Sequence, residues 1–178
     1  MEKIPSEKRN DKVGERIMKK WMSLVLAAVM LMLSACGAKE QAADVDLGAF
    51  YGTLEKEYGW GQSMVDIEGE MLDAYYPGLK EIPTVQLVAK MPMMSSVVNE
   101  MVFLQCETEA DAEKAEDLLQ DRIDYQVGDE NNPGGAWYPE SIAAWEEGEV
   151  IREGVYVAMI ASAEYQDAIE ESFDALFQ

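Results

Sequence analysis

The sequence predicts an α+β domain, with helices packed on an antiparallel sheet of about four strands. Three observations carry this. Residues 84–91 alternate, with Val85, Leu87, Ala89 and Met91 on one side and Thr84, Gln86 and Lys90 on the other. Residues 97–106 follow a short turn as a second strand, apolar on both faces. Residues 149–152 and 155–161 repeat the hairpin around the tight turn Glu153-Gly154. A helix signal follows each hairpin, so the chain reads as ββα twice, preceded by two helices.

The elements are justified in order. Asp46 is placed to cap a helix whose Leu47, Phe50, Tyr51, Leu54 and Tyr58 fall on one face, and Gly59 ends it. Ser63-Met-Val-Asp66 has the form of a capping box and predicts a second helix, stopped near Tyr75 by Tyr76-Pro77-Gly78. After the first hairpin, Thr108-Glu-Ala-Asp111 opens a helix to about Gln126, with Ala112, Ala115, Leu119 and Ile123 as its inner stripe. Glu109 and Asp111 stand in its first turn, where the helix dipole favours acids. Residues 128–139 are a loop by composition, and 141–145 form a helical turn. Ser162 is expected to cap a last helix carrying Tyr165, Ile169, Phe173 and Leu176. Strand order is left open by the sequence.

The N-terminal part reads differently. Lys19 and Lys20 flank an uncharged run, residues 21–32, which ends in Leu33-Ser34-Ala35-Cys36. A charged flank, a short apolar core and small residues before a cut site make a secretory signal. The run is shorter than the roughly 20 apolar residues of a membrane span. Leu-Ser-Ala-Cys resembles the bacterial lipobox, which implies acylation of the Cys36 sulfur and cleavage before it. Residues 1–35 are thus expected to be a signal peptide, 36–46 a lipidated cysteine and tether, and 47–178 one globular domain. Met18-Lys19-Lys20 is itself a natural start, so residues 1–17 are read as lying upstream of the true one. The expected location is the extracytoplasmic face of the cell membrane, held through fatty-acyl chains such as palmitate.

Charge and composition narrow the function classes. The net charge is −21, and seven of the 14 Lys and Arg precede Cys36 against four of the 35 acids, so the remainder is more acidic still. Such a surface repels phosphate backbones, and nucleic acid is not expected as a partner. It also repels anionic lipid, which leaves anchoring to the acyl chains. The chain has no histidine, which excludes Ser-His-Asp, Cys-His and histidine metal sites. With Cys36 acylated, Cys106 has no intramolecular partner and reads as a buried small hydrophobe.

The candidate sites are few. Asp129-Glu-Asn131 offers oxygen ligands, but Pro133 and the missing helix pair do not suit a calcium loop. Met91-Pro-Met-Met94 offers soft thioethers, better explained as turn residues packed on the sheet. No metal or cofactor is therefore expected, and no catalytic residue is marked out. Trp60, Tyr75-Tyr76, Trp137-Tyr138 and Trp145 gather at loop positions, where aromatics line a groove or seal core edges, and Trp60, Trp137 and Tyr138 are the groove candidates. Glu100 alternates with Val98, Val102 and Leu104, so an acid shares an apolar face and needs a partner. Arg122, three residues after Leu119 on the following helix, is placed to meet it as a structural or ligand-binding pair.

Some of these marks resemble a family of Gram-positive bacterial lipoproteins catalogued as a domain of unknown function. They are Glu100 in Asn-Glu-Met-Val-Phe, the run Glu-Ala-Asp-Ala-Glu-Lys-Ala at 109–115, Arg122, Tyr138-Pro139 and Glu153-Gly154-Val-Tyr156. The resemblance covers about residues 47–176. It implies location and fold and carries no activity. Asn-Asn-Pro-Gly-Gly at 131–135 departs from the pattern. The reading is a lipid-anchored, non-enzymatic binding or interaction module of the cell envelope with a protein partner there. The alternatives are a small envelope enzyme using paired carboxylates, such as a glycan hydrolase, or an accessory solute-binding component of a transporter.

Overall fold

The computed structural model describes residues 45–178 except Ser95. The signal peptide, Cys36 and most of the tether lie outside the described residues. Among the described residues no helix is long and apolar enough to cross a membrane.

The chain runs α1 (Leu47–Tyr58), β1 (Met64–Asp66), α2 (Gly69–Tyr75), β2 (Thr84–Pro92), β3 (Asn99–Cys106), α3 (Glu109–Val127), α4 (Pro139–Glu146), β4 (Glu149–Glu153), β5 (Tyr156–Ser162) and α5 (Gln166–Asp174). The five strands form one antiparallel sheet in the order β1-β2-β3-β5-β4. The expected count of about four strands is corrected by β1. Ser63 does not cap a helix: its hydroxyl donates back to the Trp60 carbonyl, and Met64, Val65 and Asp66 pair with Pro92, Met91 and Lys90. Three residues of edge strand carry too little pattern to show in a sequence, and their pairing is decided by β2. The helix expected there begins only at Gly69.

Other elements follow local rules. The Asp46 carboxylate accepts from the Ala49 N–H at 2.9 Å, and Gly59 closes α1 with a left-handed φ of 67°. The Thr108 hydroxyl accepts from the Asp111 N–H at the start of α3. Pro139 stands in the first turn of α4, where its missing N–H costs nothing. Ser162 ends β5 instead of capping a helix directly. Its N–H donates to the Gln166 side chain, and its hydroxyl accepts from the Tyr165 N–H.

Both sheet faces are covered. One packs against α2, α3 and α4 through Ala89, Val102, Leu104, Val157 and Met159. The other packs against α1 and α5 through Met101, Phe103, Tyr156, Ala158 and Ile160. Central strands β3 and β5 are therefore apolar on both sides, and β5 is buried throughout. On the second face Phe103 meets Phe50 edge-on at 5.1 Å and stacks on Phe173 at 6.0 Å.

The sheet has two unlike ends. At one, the chain enters at Val45, whose carbonyl accepts from Gln86 of β2 and whose N–H reaches the Tyr156 hydroxyl of β5. At the other lie Pro92, Asn99 and Ser162. The strands between span on the order of 20 Å.

Candidate functional site

Glu100 stands near the start of β3, facing α3. Alternation puts it on the same side as Val102 and Leu104, and it is 3% exposed. A lone carboxylate so deep would be strongly penalised. Arg122 comes from the inner stripe of α3, also buried, and grips it with both edges of its fork. Nε donates to Oε1 and Nη2 to Oε2, each at 2.9 Å. Tyr76, at the end of α2, donates its phenol to Oε1 at 2.6 Å. The guanidinium lies over the Tyr75 ring at 4.6 Å and the Trp145 ring at 5.4 Å.

The electrostatics follow from this packing. Burial, then the charge and hydrogen bond of Glu100, push the Tyr76 phenol well above its ordinary value, so it stays a donor. Burial works against the Arg122 cation. The hydrogen bond and charge of Glu100, helped by Tyr76, outweigh it, and the net direction is up. The cluster is a closed charge pair. Arg122 and Tyr76 between them engage both Glu100 oxygens, two donors on Oε1 and one on Oε2.

This pair floors a cavity of about 490 Å³ whose rim carries Trp137 and Tyr138. The rim residues are 86% and 57% exposed, so they do not seal a core edge. The loop before them is held by local geometry. The Asp129 carboxylate accepts from the N–H groups of Asn131 and Asn132, which holds its pKa below the usual carboxylate range. The chain then runs back along the end of α3, with Gly135 and Ala136 donating to the Tyr125 and Gln126 carbonyls. A Cβ on Gly134 would sit 2.2 Å from the Gln126 carbonyl oxygen, so only glycine allows this approach. Among the described residues no group of three or more acids or cysteines is arranged to hold a metal ion.

A second cavity, about 640 Å³, opens at the same end of the sheet on the opposite face. Trp60 lines this one. It is packed beside Tyr51, Tyr58 and Tyr165 and is 9% exposed, set apart from Trp137 and Tyr138. Of the two roles open to these loop aromatics, Trp60 packs at a core edge, while Trp137 and Tyr138 stand on the rim of the adjoining cavity. The structure brings Glu100, Arg122, Trp137 and Tyr138 together and leaves Trp60 with the α1–α5 core. Tyr75, Tyr76 and Trp145, also marked in the sequence as loop aromatics, gather around the guanidinium, a meeting that sequence reasoning did not foresee. Sequence reasoning also missed Asn99 and Ser141, which line both cavities. Asn99 carried the signal that exposed Glu100, a polar residue alternating with apolar ones. Ser141 carried none. Cys106 is 1% exposed, and burial followed by the charge of Asp111 pushes its thiol up to about 11.

Fold and cleft define a two-faced α+β domain with a polar cluster sealed beneath an aromatic rim. The chain belongs to the family described as a domain of unknown function, DUF4358, matched over residues 57–162. The match runs from the end of α1 to the last residue of β5 and includes Glu100, Arg122, Trp137 and Tyr138. No curated protein and no solved structure matches the chain.

Proposed function

We propose that this chain is a lipid-anchored extracytoplasmic protein of a Gram-positive cell envelope, acylated at Cys36, whose domain is a non-enzymatic binding module for an envelope protein. One observation supports the binding role above the others. Trp137 and Tyr138 stand in solvent beside a cleft floored by the paired Glu100 and Arg122. Exposed aromatics over a preformed cavity are the usual anchors of recognition. The anchor is supported by Leu33-Ser34-Ala35-Cys36 behind its short apolar run. Val45 enters at the far end of the sheet, an arrangement that suits a tethered domain presenting its cleft outward.

Two experiments test this. A fatty-acid probe should label cells carrying the wild type and leave Cys36→Ala unlabelled; equal labelling removes the anchor. Cross-linking and affinity capture of the full chain from detergent-solubilised membranes should recover a stoichiometric envelope partner. Trp137→Ala/Tyr138→Ala should lower that recovery about tenfold or more while the melting temperature stays within about 2 °C. Full recovery by the double variant, or glycan cleavage by the purified chain, defeats the reading.

A further inference from the structure

The two cavities are one composite cleft wrapped over the end of β3, since Pro92, Val97, Val98, Asn99 and Ser141 line both. At the seam stand two buried polar side chains with donors to spare. Asn99 is 6% exposed. Its Oδ1 accepts from the Ser162 hydroxyl at 2.9 Å, and that hydroxyl in turn accepts from the Tyr165 N–H, so the amide orientation is fixed. Its Nδ2 therefore faces the other way with two hydrogens. Among the described residues its acceptor is the Met64 thioether at 3.5 Å, a weak one. Ser141 is 7% exposed, and its backbone N–H donates to the Tyr138 carbonyl. Its hydroxyl makes no hydrogen bond among the described residues. Buried polar groups normally find strong partners; here, among the described residues, an amide donor held by sulfur and a hydroxyl with no protein partner line the same opening.

We propose, resting on the binding reading above, that this seam receives a main-chain amide of an extended partner segment. The carbonyl accepts from Asn99 Nδ2, and the Ser141 hydroxyl takes the remaining main-chain bond. Side chains two positions apart in an extended segment project the same way, about 7 Å apart. One enters each cavity. The larger cavity is walled by Met64, Met93, Met94, Val97 and Tyr165, so it takes a large apolar side chain. Its charged lining residues are Glu140 and Glu164, with no Lys or Arg. The one base in the smaller cavity, Arg122, is neutralised by Glu100. In a chain of net charge −21 this selects lysine or arginine beside the apolar anchor.

Three fluorescently labelled peptides test it by anisotropy against the full chain in detergent: Lys-Phe-Ala-Leu-Lys, Glu-Phe-Ala-Leu-Glu and Lys-Ser-Ala-Ser-Lys, each acetylated and amidated. The first should bind saturably, about tenfold or more tighter than either other. Ser141→Ala should weaken it several-fold, as loss of one hydrogen bond does. Glu140→Gln/Glu164→Gln, both near the surface, should bring the lysine and glutamate peptides closer together. Asn99→Asp keeps the shape and the Ser162 bond while removing the donor, and should weaken binding at least as much as Ser141→Ala. Equal binding of the lysine and glutamate peptides, unchanged affinity in the seam variants, or no saturation at about millimolar peptide overturns the inference. Captured partner that still depends on Trp137 and Tyr138 would then leave the broader reading standing. A small apolar amine that binds as tightly as the first peptide would make the occupant a small molecule instead.

Discussion

The two faces of the sheet are built from different chemistry. The α1–α5 face is aromatic and dry, with Phe50, Phe103 and Phe173 in mutual contact. The α2–α3–α4 face is aliphatic but holds Glu100, Arg122 and Tyr76 within it. Each strategy fixes helices on the sheet. Aromatic packing does so through area and contact, which tolerate substitution by similar shapes. The ion pair does so through geometry that admits no partial version, because half of it is worse than none. The polar face is also the one that opens into the Trp137–Tyr138 cleft. A cluster that a stable core does not require therefore stands where recognition is proposed.

The largest effects come from cutting each face at its centre. Phe173→Ala should cost about 3–5 kcal/mol through the cavity it leaves, and Arg122→Met about 3–5 kcal/mol through the stranded Glu100. Thermal and denaturant melts measure both. A cost for Arg122→Met below about 1 kcal/mol would mean that water reaches Glu100 and that the pair acts as a surface bridge.

The sharper comparison is the double variant Glu100→Leu/Arg122→Met. With Tyr76→Phe added, so that no phenol is stranded by the loss of Glu100, removing both charges should restore most of the loss, to within about 1.5 kcal/mol of wild type or above it. No equivalent rescue exists on the aromatic face. If this combined variant is as unstable as the single one, the ion pair itself fixes α3, and the contrast between the faces is one of degree.

Cys106 reports whether the polar face stays closed at its other end. With the thiol raised from 9.0 to about 11, its thiolate fraction near neutral pH is about a hundredfold lower than for an ordinary thiol. Alkylation of the native chain should be slower by at least that factor and rise steeply with pH. The folded state should also lose stability between pH 9 and 11, where the unfolded chain's thiol ionises first. A pH-independent, rapid reaction would show local opening beside α3.

The smallest effect is on the aromatic face. The Tyr51 hydroxyl is buried and has no hydrogen-bond partner among the described residues, and burial followed by Glu55 and Asp66 pushes its pKa up to about 12. Tyr51→Phe should be neutral or stabilise by up to about 1 kcal/mol, since it removes an unpaid desolvation. A loss above about 1 kcal/mol would reveal a partner for that oxygen.

Much of this was legible in the chain. Asp46 and Thr108 mark their elements by local chemistry and the structure follows them, while the second hairpin turn, expected at Glu153-Gly154, falls one residue later at Gly154-Val155, because Glu153 still pairs with Tyr156. The meeting of Glu100 and Arg122 was legible too, because an acid on an apolar strand face must find a donor and the next helix offered one. Which of Trp60, Trp137 and Tyr138 would seal a core edge and which would stand over a cavity was not legible, because nothing local distinguishes a loop aromatic that turns inward from one that turns outward. Trp60 turns in against Tyr51 and Tyr58 of α1 and against Tyr165, more than a hundred residues further along the chain.

By itself the sequence determined the long helices Leu47–Tyr58 and Glu109–Val127, the two hairpins, the acidic composition and the lack of histidine. These rest on periodicity, caps and residue inventory, which are properties of neighbours in the chain. The tertiary structure decided the fifth strand, the covering of both faces, the order β1-β2-β3-β5-β4 and the seam of Asn99 and Ser141 between two cavities. Each of these is a pairing of residues far apart in sequence. Their energy depends on which surfaces meet, and local pattern does not encode that choice.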